Sequence, residues 1–481
     1  MNVLFDLVNY MVERKSRQIH QKDDLAAKLF RGIKNGRFSS DEAAMRSLYP
    51  EGPHRTVYYN ATKRKLKNLL YHLALSTTAA EESYAEKCFT IEKKVLVARQ
   101  LAGEGWTASA INIMEEALKE AMDLHLIPTA RQAAFRLSIW YVATGHPAKY
   151  RKYVKLEKEL ATKEAGEFLA EQHYFALYNK LRNQKSIDQL LLEFSRQIHE
   201  ELVAIDIETF NFRMFASYIA VLHFELSNDG EKVVETCRSA LEYFAHLPFQ
   251  LPNRTYRIFT TRIVPALIQQ RNSTEAIQQL ALAENYVNKG SLNWVGIQEY
   301  RAIAGFHLQD MAIVSQAIAS IRSSRKAFAM KKEEVRILEG YLSFFSTEEL
   351  SRFKVGKFVN EMPKYAADKK GMNINILIIQ ILIFLGRRDL PKIIDRMEAL
   401  RIYAYRYLKD DKTTRRSYLF IQLLLLVSKY SFELKPLQAV TEPLLKELRA
   451  EPLNLKTIDV EIVPYEILWD QIVGILEKIY R

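Results

Sequence analysis

Glycine and proline are scarce in this chain, 16 and 13 among 481 residues. Hairpins and phosphate loops consume glycine, and strand-rich folds need many turns, so the shortage points to long helices with brief connections. Cysteine is scarcer still. Cys88 and Cys237 lie far apart in amphipathic stretches, which argues against a disulfide framework or a zinc site and points to a reducing compartment. Long apolar runs are missing too: "INILIIQILIFLG" (374–386) and "YLFIQLLLLVSKY" (418–430) are broken or too short for a membrane span of about 18–20 residues. They read as helices buried on all sides, and no membrane partner is expected. The N-terminal "MNVLFDLVNYMVERKSRQ" carries Asp6 within its apolar part and no small-residue cleavage site, so it reads as an amphipathic helix rather than a secretory signal. A cytoplasmic protein is the expectation.

Recognisable catalytic patterns are missing as well. Helical metal sites need His-x-x-x-His or Glu-x-x-His pairs, which put both ligands on one face. The ten histidines are scattered, and Glu51 with His54 lies in a Pro/Gly loop without a partner pair. "AGEGWTAS" (102–109) lacks the lysine and preceding strand of a phosphate loop and reads as a turn between helices. There is no Gly-x-Ser-x-Gly elbow, and neither cysteine has a histidine nearby in sequence. No catalytic residue, metal ligand or cofactor is therefore assigned, and the chain is not expected to be an enzyme.

What is present is helical periodicity. In "ASAINIMEEALKEAMDLHL" (108–126), Ile111, Met114, Leu118, Met122 and Leu126 form one stripe while Glu115, Glu116 and Lys119 face out. Short breaks such as "DLHLIPTAR", "ATGHPAKY", "SNDGEK", "NKGSLN", "LGRRDLPK" and "ELKPLQ" stop and restart the pattern. Pairing neighbouring helices gives units starting near 83, 128, 163, 206, 252, 291, 331, 364 and 412. A single hairpin cannot bury its own apolar face, so stacking is expected. Pro265 should kink or start a helix, and a break is expected near 363–373. The C-terminal stripe Ile467, Leu468, Ile472, Ile475, Leu476 and Ile479 should cap the last hairpin.

In "FASYIAVLHFELSNDGEKVVETCRSALEYF" (215–244), Ala220, Val221 and Phe224 precede a turn at Gly230, and Val233, Cys237 and Ala240 follow it. "AFRLSIWYVATGHPAKYRKYVKLEKEL" (134–160) and "YRAIAGFHLQDMAIVSQAIASI" (300–321) share this shape. The segment from about 83 to 410 resembles tetratricopeptide repeats in a degenerate form, without the closing proline and with Tyr150 where a small residue is usual. The resemblance implies a superhelix with a concave binding surface.

Before the repeats, residues 1–80 hold 14 Lys/Arg against 7 Asp/Glu, a large part of the net +12. Three helical patterns, 22–36, 39–49 and 56–75, give an outline like a helix-turn-helix, the second capped by Ser39 or Ser40. At 100° per residue, Tyr59, Leu66, Leu69, Leu70 and Leu73 share an apolar sector, while Arg64, Lys67 and Tyr71 gather opposite and Lys63 and Lys65 flank the stripe. Lys63, Arg64, Lys67 and Tyr71 are the candidate nucleic-acid contacts. A second basic and aromatic run, 401–418, offers Arg401, Arg406, Arg415 and Arg416.

The expected architecture is all-α. A small basic three-helix N-terminal module (1–80) leads into a tetratricopeptide-like antiparallel helix-pair solenoid (81–362) and C-terminal helical hairpins with a cap (363–481). The expected role is a scaffold or adaptor for a peptide or protein partner. The alternative is a nucleic-acid-binding regulator acting through the N-terminal module.

Overall fold

Helix is the only regular structure among the described residues of the computed structural model, which are 2–13, 24–52, 54–76, 83–183, 189–361, 372–408, 414–458 and 460–479. The all-α expectation holds. Two compact units divide the chain, Met1–Leu96 and Val97–Arg481. The boundaries expected at 80/81 and 362/363, and the break expected near 363–373 as far as residue 371, lie outside the described residues, and residues 372 and 373 already belong to a helix.

The first unit contains α1 (Asn2–Glu13), α2 (Leu25–Lys34), α3 (Asp41–Leu48) and α4 (Arg55–Ser76), and the division between units falls inside α5 (Tyr84–Gly103). Asp24 starts α2 by accepting from the Ala27 N–H at 2.9 Å, and Ser40 starts α3 by accepting from the Ala43 N–H at 3.2 Å. Each cap satisfies an amide that the helix itself cannot. Leu66, Leu70 and Leu73 of α4 join Leu29, Phe30 and Ile33 of α2 in one core. Each such side chain contributes about 1.5–3 kcal/mol through burial. Leu4, Val8 and Met11 of α1 belong to the same core, so the module has four helices rather than three. The apolar stripe of α1, spaced by four and three residues, requires that partner. Leu69 departs from the expected apolar face and is 37% exposed, at its edge.

In the second unit, α6 (Thr107–Asp123), α7 (Ile127–Ala143), α8 (Pro147–Asn183), α9 (Gln189–Val203) and α10 (Phe210–Leu226) each pack on the next. The series continues through α11 (Gly230–Ala245), α12 (Asn253–Gln269), α13 (Ser273–Glu284), α14 (Leu292–His307) and α15 (Met311–Ser323). Beyond these come α16 (Arg325–Met330), α17 (Lys332–Phe344), α18 (Thr347–Arg352) and α19 (Val355–Glu361). The last five helices are α20 (Met372–Gly386), α21 (Leu390–Tyr407), α22 (Arg415–Lys429), α23 (Leu434–Ala450) and α24 (Tyr465–Ile479).

Helices start at 84, 127, 210, 253, 292, 332 and 415, close to seven of the expected unit starts. The start expected near 163 does not exist. There α8 runs unbroken for 37 residues, about 55 Å at the α-helical rise. Gly166 is an interior residue of that helix rather than a break: a Cβ there would lie 2.2 Å from Ile207 Cδ1, so the glycine makes room for the Ile207 side chain. Pro265 likewise sits inside α12 without ending it.

Eight chain reversals among the described residues share one geometry. A residue at positive φ (Gly105, His125, Gly145, Asn228, Arg271, Gln309, Arg388 or Ser431) is followed by an N–H that bonds back to the carbonyl five residues earlier at 2.8–2.9 Å. This is the pattern of a Schellman helix end. Only two of the eight use glycine; the side-chain residues pay roughly 1–2 kcal/mol for the left-handed conformation. At three of these turns the very next residue caps the following helix: Asp229 accepts from Lys232, Asn272 from Glu275 and Asp310 from Ile313.

The segment between α23 and α24 travels further than a hairpin connection. Leu453, Ile458 and Val463 are buried along it. The Leu453 carbonyl accepts from the side-chain amides of Asn228 and Gln269, each at 3.2 Å, and the Leu455 N–H donates to Asn228 Oδ1 at 2.9 Å. Arg271 pairs with Glu466 at 2.7 Å. The C-terminal region therefore caps the last hairpin, with α24 packing on α20, α22 and α23, and also straps across the α10–α13 region.

Candidate functional site

On α4, the five Lys/Arg side chains have no carboxylate among them on the helix itself. Two are committed elsewhere. Lys63 grips both carboxylate oxygens of Asp41 at 2.8 Å, and Lys65 pairs with Asp24 at 2.9 Å. Burial pushes the Asp41 carboxyl up, but the hydrogen bonds from Lys63 and the Tyr59 hydroxyl outweigh it and hold the pKa at about 2. Lys63, expected as a free cation, instead ties α3 to α4. Arg64 is exposed and forms no ion pair with a described residue, while Lys67 lies 5.4 Å from the Tyr71 ring centroid. Of the expected Arg64, Lys67 and Tyr71 grouping, Lys67 and Tyr71 lie against each other on α4.

The second basic run does not form a patch. Arg416 is 5% exposed and forks onto Glu461 at 2.8 Å through two nitrogens, with a third bond to Glu466 at 2.7 Å. It also donates to the carbonyls of Leu448 at 2.5 Å and Glu451 at 2.7 Å. The sequence placed it on the surface because nothing local marks its partners, 45 and 50 residues away. Arg401, also exposed, pairs with Glu398 at 2.7 Å and Arg415 with Glu447, which leaves Arg406 as the exposed member of the four with no ion pair to a described residue.

A cavity of about 680 Å³ lies within the second unit, and no motif announced it. Tyr174, Tyr178 and Arg182 enter from α8, Tyr218 and Glu225 from α10, and Arg262 from α12. Tyr300 of α14 and Leu455 and Lys456 of the strap complete the wall. The rings support one another: Tyr174 lies 5.4 Å from Tyr218, which stacks on Phe259 at 5.0 Å and 17°. Burial pushes the Tyr218 hydroxyl up to about 12, so it is a neutral hydrogen-bonding group at any ordinary pH. The surrounding protein pushes Lys456 down to about 8, with Glu225 opposing that shift. Glu225 itself pairs with Arg262. The wall thus offers aromatic faces, hydroxyls and a cationic excess. The one sequence signal available was the i, i+4 pair Tyr174 and Tyr178.

Other groupings that resemble catalytic pairs are structural contacts. Ser195 Oγ lies 2.9 Å from His223 Nδ1, the spacing of a nucleophile and its base. But Ser195 is fully buried and donates to the Leu192 carbonyl at 2.7 Å, so it accepts from the imidazole and ties α9 to α10. Burial pushes the Cys237 thiol far up, away from a reactive thiolate. Among the described residues no group of three or more His, Cys, Asp or Glu could hold a metal ion, and no helix is long and apolar enough to cross a membrane. No family model, curated protein or solved structure matches the chain.

Proposed function

We propose that the second unit is a tetratricopeptide-like binding scaffold that holds an extended peptide, without catalysis, at the tyrosine-lined cavity. The observation that carries the reading is the cavity itself. Four helices contribute tyrosines and cations to one wall, and the chain's own strap enters that wall at Leu455 and Lys456, in a turn that follows Asn454. The grip on the strap supports a peptide occupant, because the side-chain amides of Asn228 and Gln269 hold its main chain rather than its side chains. Hairpin after hairpin closed by the same left-handed turn supports the repeat reading. Aromatic and arginine anchors are the groups that carry most of the affinity in such interfaces.

Peptides selected from a random display library on the full chain are expected to lose at least about tenfold in affinity for Tyr178→Ala, equivalent to 1.4 kcal/mol. Tyr178 is half exposed at the cavity, so its removal leaves the fold intact. Selected peptides that bind the variant as tightly as the parent would defeat the proposal.

A second reading, nucleic-acid regulation through the first unit, is favoured by the absence of any carboxylate on α4 and by the pairing-free exposure of Arg64 beside Lys67 and Tyr71. Here the full chain should bind a labelled duplex at about 50 mM salt, weaken by an order of magnitude or more at about 200 mM, and lose that binding in Arg64→Glu/Lys67→Glu. Absence of binding at the lower salt, where phosphate contacts are strongest, ends this reading.

A further inference from the structure

We infer that a second cavity in the same unit, of about 420 Å³, binds a small organic phosphate with an aromatic body. This site is separate from the tyrosine-lined cavity and does not depend on the peptide reading. Arg322 comes from α15, Arg336 from α17, Arg352 from the end of α18, Lys354 from the connection that follows and Lys357 from α19. Five cations around one small volume is the unusual feature.

Their local neutralisation is incomplete. Glu339 is the carboxylate in the wall, and it is shared by Arg322 and Arg336, the latter at 2.8 Å. Arg352 pairs along its own helix with the exposed Glu348 at 2.8 Å. Lys354 and Lys357 form no ion pair with a described residue and are exposed. The site therefore keeps a positive excess at its mouth, which favours an anion carrying more than one charge.

The loop that carries these cations is held in place. Arg387 of α20's C-terminal end donates to the Leu350 carbonyl at 2.7 and 3.0 Å, to Ser351 at 3.3 Å, and to Phe353. Those bonds fix the backbone before any ligand arrives, so binding does not require ordering the loop. Beneath the cations the wall turns apolar: the Phe353 and Phe358 rings lie 5.5 Å apart at 53°, beside Ile318 and Leu342. A bare inorganic anion would leave that surface uncovered. A phosphate ester with a planar body covers it while its phosphates meet the guanidinium and ammonium groups, and the volume suits a small molecule rather than a folded partner.

Isothermal titration of the full chain with ATP and with inorganic tripolyphosphate tests the assignment. ATP is expected to bind more tightly than tripolyphosphate, and to weaken as salt rises from about 50 to about 200 mM. Lys354→Glu/Lys357→Glu should weaken ATP binding by at least tenfold. Lys354→Arg/Lys357→Arg should retain it, as should the control Lys435→Glu/Lys446→Glu, which reverses two exposed charges elsewhere. Melting curves confirm that the variants fold. Failure of ATP to bind below about 1 mM, or equal binding by the charge-reversed variant, overturns the site. Tripolyphosphate binding as tightly as ATP overturns the aromatic body.

Discussion

Replacing Arg416 by alanine is expected to destabilise the second unit by about 3–5 kcal/mol, the usual cost of removing one partner from a buried ion pair. The side chain donates to two carboxylates and two main-chain carbonyls in a site from which water is largely excluded. Its loss leaves Glu461, itself 4% exposed, without its counter-charge, and frees the carbonyls of Leu448 and Glu451. Lysine should not rescue the variant, because a single ammonium cannot form the parallel fork to Glu461 while reaching the other three acceptors. Replacing Arg416, Glu461 and Glu466 together by apolar residues of similar volume should cost far less than Arg416→Ala alone, since no buried charge is then left unpaired and Arg271, which loses Glu466, is exposed to water. Urea unfolding followed by circular dichroism reads both results. A loss below about 1 kcal/mol for the single variant, the value of an exposed pair, would show that water reaches the network.

Acid is expected to weaken the same region through His307. Burial pushes its pKa down to about 4, with Arg271 acting in the same direction and Glu466 and a hydrogen bond to the Glu461 main chain acting against it. Its Nε2 is buried without a hydrogen-bond partner among the described residues, so a proton there meets no acceptor. Arg416 adds to the positive field facing the ring. In the unfolded chain the imidazole titrates near its usual 6.5, so between pH 6.5 and 4 the unfolded state binds the extra proton. The neutral ring's contribution is complete above pH 6.5, falls progressively below it, and is gone near pH 4. The total is about 3 kcal/mol at 1.36 kcal/mol per pKa unit. Thermal melts from pH 7 to pH 4 should show this decline, and His307→Phe should flatten it. An equally steep decline in the variant would assign the acid sensitivity to other groups.

Much of the local architecture was legible in the sequence because helix ends are written in nearby residues. Ser40 caps α3 as expected, and breaks such as "SNDGEK" and "LGRRDLPK" fall at real chain reversals. The start expected near 163 is not there, because α8 continues through Gly166, whose missing side chain serves packing against Ile207. Charge was harder to interpret than periodicity. Lys63 and Arg416 sit in basic runs that look solvated, and their partners, Asp41 and Glu461, belong to other helices or connections. The tyrosine-lined cavity was illegible for a related reason, since Tyr174, Tyr218 and Tyr300 meet only when three separate helices pack. The cationic cavity likewise needs Arg387, far along the chain, to hold its loop.

The strap also alters how this unit should fold. A chain of hairpins is rich in local contacts, and each hairpin can form early with little loop entropy to lose. Asn228 and Leu455 are 227 residues apart, and joining such distant points costs about 5 kcal/mol of chain entropy if the intervening chain is still flexible. Once the intermediate hairpins have stacked, the same closure joins two nearly rigid ends and costs far less. Closure of the strap is therefore a late event, and its hydrogen bonds should contribute little to the folding barrier. Their main kinetic effect should be to slow unfolding, with the strap acting as a latch on an array whose hairpins would otherwise open from the end.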